Sequence, residues 1–91
     1  MRNLIELNLS RNHIEDEGVI NLAGASYLRN LEKLYLDDNE LTTVAAHALG
    51  ESQYLSQVVH LSLNYNRILK EGLSAIANSS NFAKLTHLYV E

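Results

Sequence analysis

The sequence predicts a curved α/β solenoid, with a parallel sheet lining its concave side and helices on its convex side. Three observations predict it. First, one pattern returns every 27 residues without insertion: Leu4, Leu31, Val58 and Leu85 each open the order apolar-x-x-Leu-x-apolar. Second, the apolar spacing inside each unit switches from alternation to a helical stripe. Third, a strand that reaches the next strand only through a helix must run parallel to it, and helices wider than strands bend the array.

Each unit is justified in turn. The first runs Leu4, Leu7, Leu9, Asn12, Ile14; the second Leu31, Leu34, Leu36, Asn39, Leu41; the third Val58, Leu61, Leu63, Asn66, Ile68; the fourth stops after Leu85, Leu88, Val90. Alternation around the paired leucines predicts strands near 6–10, 33–37, 60–64 and 87–90. After the asparagine, Gly18, Val19, Leu22, Ala23 and Leu28 are matched one period later by Ala45, Ala46, Leu49, Gly50 and Leu55, then by Gly72, Leu73, Ile76, Ala77 and Phe82. These stripes predict helices near 16–28, 43–55 and 70–82. Asp16 and Thr43 are expected to cap the first two; Lys70, at the same place in the third, cannot. Small residues at 18, 45 and 72, and at 23, 50 and 77, are expected to let helix and strand backbones approach.

With LxxLxLxxNxL at the head of each unit, the chain resembles the leucine-rich repeat family. The unit length, the helix in every unit and the run Glu15, Asp16, Glu17, Gly18 look most like its ribonuclease-inhibitor-like class. The resemblance covers almost the whole chain, read as one array of about three and a half units over residues 1–91 and as a piece of a longer one. It implies that Asn12, Asn39 and Asn66 are structural, each a rung of a ladder bonded to turn backbone. It also implies a scaffold that binds a protein partner.

Net charge is −4, with 7 basic against 11 acidic side chains. This opposes general nucleic-acid binding, which needs clustered Lys and Arg on phosphate. The charge is uneven: residues 4–30 hold four acids and two bases, 31–57 five and one, 58–84 one and three. There is no Cys, so neither a disulfide framework nor a thiolate site is available. No apolar run is long enough to span a bilayer, and the first residues lack a signal-peptide core. A cytoplasmic protein without membrane contact is the expectation, able to self-associate through uncapped ends.

Function is expected between the leucines, on side chains that project from the concave sheet. Residues 27 apart become neighbours on strands roughly 4.8 Å apart. The columns read Glu6, Lys33, His60, His87; then Asn8, Tyr35, Ser62, Tyr89; then Ser10, Asp37, Asn64, Glu91; and, at the strand ends, Arg11, Asp38, Tyr65. Aromatic anchors among charges and amides suit protein recognition. Glu6, Asn8, Lys33, Tyr35, Asp37, Asp38, His60, Ser62, Asn64, Tyr65, His87 and Tyr89 are therefore the candidate partner-binding residues.

Other chemistries fare worse. His60 and His87 on adjacent strands could approach one metal ion, but two ligands fall short of a zinc set. The stretch Asp37, Asp38, Asn39, Glu40 lacks the alternating ligands of a calcium loop. Ser10 or Ser62 can be paired on paper with a His and an acid, yet an open sheet offers no oxyanion hole. There is no phosphate-cradling loop and no HExxH. No cofactor, metal or catalytic residue is expected. Two alternatives stand beside the scaffold: a regulator resembling Ran GTPase-activating proteins, carried by fold-level analogy alone, and a structural or oligomerising spacer.

Overall fold

The computed structural model describes residues 3–91. Its elements alternate as the periodicity requires: β1 (Glu6–Asn8), α1 (Glu15–Ala23), β2 (Lys33–Tyr35), α2 (Thr43–Gly50), β3 (His60–Ser62), α3 (Lys70–Ala77) and β4 (His87–Tyr89). One four-stranded sheet runs in the order β1-β2-β3-β4, every pair parallel. Register follows the repeat: Glu6 faces Lys33, Lys33 faces His60, and His60 faces His87.

The strands are three residues long, shorter than the four or five expected. Backbone pairing nevertheless continues beyond them, because Leu9 N–H donates to the Tyr35 carbonyl and Arg11 N–H to that of Asp37; Leu36 and Asp38, then Leu63 and Tyr65, repeat the pair. What ends each strand is a left-handed residue. Arg11, Asp38 and Tyr65 lie at φ 62°, 54° and 61°, a region costly for side chains other than Gly, Asn and Asp. The chain turns there toward the spine and carries the following asparagine inward.

The helices also stop earlier than the stripes suggest, at Ala23, Gly50 and Ala77. Short 3₁₀ turns at Ser26–Leu28 and Ser80–Phe82 take up the slack in the first and third units. An uninterrupted helix over 70–82 would rise roughly 20 Å and carry the chain past the start of the next strand. The turn instead folds Leu28 and Phe82 into the core; Leu55 is buried at the matching place in the second unit.

The core is one spine. Leu34, Leu36, Leu41, Leu61 and Leu63 from the sheet side meet Val19, Ala45, Ala46, Leu49 and Ile76 from the helices, all essentially inaccessible to solvent. Their counterparts in the outer units, Leu4, Leu7, Leu9, Leu85, Leu88 and Val90, are only partly buried. Full burial requires a neighbour on both sides.

The expected capping needs correction. Asp16 does not cap α1; its carboxylate accepts the N–H of Thr42 at 2.8 Å and the Thr42 hydroxyl at 2.6 Å. Thr42, not Thr43, caps α2, its hydroxyl accepting the Val44 N–H at 3.2 Å. Thr43 instead accepts the Leu69 N–H at 3.2 Å. Positions 16 and 43 thus hold the start of the next unit's helix. The small residues also act differently from expectation. A Cβ on Gly50 would lie 2.9 Å from the Ala75 carbonyl oxygen, and one on Gly72 would lie 3.0 Å from Ala46 and 3.3 Å from the Thr43 Cα. Gly50 and Gly72 thus admit the neighbouring helix, while Gly72 and Gly18 also leave room for Ile68 and Ile14 at the turn before their own helices. Ala77, expected among them, is exposed.

Candidate interaction face

Asn39 and Asn66 each bond the turn backbone of the unit before them. Asn39, fully buried, accepts the N–H groups of Asn12 at 2.8 Å and Ile14 at 3.1 Å, and donates to the carbonyls of Leu9 and Asp37. Asn66 repeats this one unit on, accepting from Asn39 and Leu41 and donating to Leu36, Leu63 and Asn64. Asn12 donates only within its own turn, to Leu9 and Ser10, and is exposed.

A second ladder runs alongside it, through the third concave column. The Ser10 hydroxyl accepts the Asp37 N–H at 3.1 Å, Asp37 Oδ1 accepts the Asn64 N–H at 2.8 Å, and Asn64 Oδ1 accepts the Glu91 N–H at 2.9 Å. Each residue here reaches forward to the next unit, whereas Asn39 and Asn66 of the first ladder reach back. Asp37 Oδ1 also accepts the Ser62 hydroxyl at 2.6 Å. This alters the standing of three expected contact residues. Ser62 is 4% exposed and its hydroxyl is occupied, so it presents no surface; Asp37 and Asn64 brace the sheet as well as facing the concavity. A third set closes the convex side, where the Ser52 and Ser79 hydroxyls donate to the Ala23 and Gly50 carbonyls at the preceding helix end. A lone serine 27 residues from another was its only sign in the sequence.

Apart from Glu6 and Lys33, the remaining candidates fall into two neighbouring groups, the second of which includes Asp37 again. Tyr35, His60, His87 and Tyr89 make a continuous row of rings: His60 lies 5.2 Å from Tyr35, 5.1 Å from Tyr89 and 5.7 Å from His87, with the two imidazoles within 19° of parallel. Stacked imidazoles present faces to one another rather than converging lone pairs. Among the described residues, no group of three His, Cys, Asp or Glu is placed to hold a metal ion. Asn8, Asp37, Asp38 and Tyr65 line a cleft of about 540 Å³ at the strand ends, together with Ser10 and Arg11. Ser10 and Arg11 belong to the same columns and were not singled out, because nothing in sequence tells which column members meet across a turn. Glu6 and Lys33 are exposed at the other end of the strands, in register with the two histidines.

No helix among the described residues is long and apolar enough to cross a membrane. No curated protein matches the chain. Family models do: one for two copies of the leucine-rich repeat matches residues 2–48, and one for a single repeat matches residues 56–77. With more than half its length matched and every repeat in parallel register, the chain belongs to the leucine-rich repeat family.

Proposed function

We infer that this chain is a non-catalytic interaction module that captures a protein partner on its concave strand face. The observation that carries this reading is the ring row beside the polar cleft. Tyr89 is 43% and Tyr65 67% exposed, and neither is needed to fill the apolar spine. Large, stiff, amphipathic side chains of this kind supply contact area at low entropic cost, and the surrounding amides and carboxylates supply direction. Membership of the ribonuclease-inhibitor-like class is part of the same proposal, supported by the 27-residue spacing and the helix in each of the three complete units.

The test is site-specific photocrosslinking from positions 35, 65 and 89 on the concave side and from 44 and 51 on the convex side, in the same lysate. Capture of one protein from the concave positions alone is expected. A partner captured only from Val44 and Glu51 would move the binding surface to the helices.

A further inference from the structure

Building on the concave-face reading, we propose that the partner segment seated there presents an arginine, its guanidinium lying on the Tyr35 end of the ring row and hydrogen-bonded to Asp37. The argument begins with the carboxylate. Both hydrogen bonds that Asp37 accepts, from Ser62 and from the Asn64 backbone, land on Oδ1. Oδ2 accepts none among the described residues, and the side chain lines the cleft. The acceptor is thus held in place before any ligand arrives, which removes part of the ordering cost of binding.

Charge selects the sign of the ligand. Two carboxylates, Asp37 and Asp38, line the cleft against one guanidinium, that of Arg11. Among the described residues the one Lys, Arg or His nitrogen within 4.0 Å of a carboxylate is His13 Nδ1, 3.6 Å from Glu40 Oε2, so neither Asp is neutralised by a neighbour at that distance. One added cation balances the cleft. Strand alternation bears on the kind of cation, since Tyr35 stands beside the cleft rather than in its lining. Tyr35 and Asp37 are two residues apart on one strand course and face the same side, so a planar group lying on the ring can turn an N–H edge to the carboxylate. A guanidinium stacks and donates in one plane, whereas an ammonium does one or the other. Lys33 stands on the opposite side of Tyr35 from Asp37 and puts a cation at that end. A single arginine approaching from the Asp37 side avoids Lys33 and meets two carboxylates against the one cation, Arg11.

The experiment titrates the isotopically labelled chain, with a polar capping repeat fused at each end to cover the outer units, with N-acetyl-arginine methylamide, its lysine counterpart and its citrulline counterpart, reading amide shifts by NMR. Arginine should perturb Tyr35, Asp37 and Asn64 and bind about fivefold or more tighter than lysine, with citrulline inert. Asp37→Asn keeps the Oδ1 acceptor and removes the charge; it and Tyr35→Ala should each weaken arginine by about fivefold or more, while Asp38→Asn should have the smaller effect. Equal responses to arginine and citrulline, perturbation centred on another face, or an unchanged affinity in Asp37→Asn would overturn the proposal. Its failure is separable from that of the concave-face reading. A partner crosslinked through residues 35 and 89 that arginine methylamide does not displace would leave the face and remove the arginine; crosslinking confined to the convex side would remove the face.

Discussion

Deleting the carboxamide of Asn39 leaves two amides and two carbonyls without partners in a setting closed to solvent. Asn39→Ala should therefore lower stability by roughly 1–3 kcal/mol, and Asn12→Ala by much less, because Asn12 is exposed and bonds only its own turn. Paired urea denaturation series check this, and equal losses would contradict the account. Asp37→Ala should cost about 1.5–3 kcal/mol, since two hydrogen bonds to a charged acceptor disappear, whereas Asp37→Asn should retain most of that. A concave position two residues beyond Tyr35 looks like free surface in sequence. Whether its oxygen lies against the next strand's amide depends on a few ångströms of stagger that no residue letter records.

At the scale of the element, strand register and parallel sense were legible, because a period of 27 without insertion admits one stacking. Element lengths were not. Strand ends depend on left-handed backbone at Arg11, Asp38 and Tyr65, and only Asp38 has a residue type that advertises such a turn. Relieving the conformation at the least suited position should stabilise: Tyr65→Gly is expected to add about 0.5–1 kcal/mol, read as a higher midpoint in urea. An unchanged or lower midpoint would mean that the phenol ring contributes packing greater than the strain. Helix contacts give the opposite sign. Gly50→Ala should lose about 1–3 kcal/mol, because its new methyl meets the rigid Ala75 carbonyl at 2.9 Å rather than a side chain able to rotate away. The stripe in the sequence marked Gly50 as small without showing that its neighbour is the next helix.

For the whole molecule, stability resides in the interfaces between units. The central leucines reach full burial and the outer ones do not, and β1 and β4 present free edges. The isolated 91-residue chain should accordingly self-associate or unfold with low cooperativity at micromolar concentration, as sedimentation velocity and thermal melts would show. A monodisperse monomer with a sharp, high transition would indicate that the outer units are self-sufficient. The two most exposed concave tyrosines should be separable from this behaviour: Tyr65→Ala combined with Tyr89→Ala is expected to abolish partner capture while leaving the circular dichroism spectrum intact.

The two polar ladders share one property: in each, a side chain of one unit grips main-chain amides of another. Every residue except proline has such an amide, so the grip does not depend on what the neighbouring unit's side chains are. Units joined this way are interchangeable parts. Excising residues 31–57 would bring Ser10 against the amide of Asn64, and Asn66 against those of Asn12 and Ile14, with both clasps restored. Excising one residue fewer would leave both clasps out of step along the remaining array. The architecture can thus grow or shrink by whole units while the exposed faces of those units vary freely, which lets one scaffold acquire new binding surfaces without redesigning the joints.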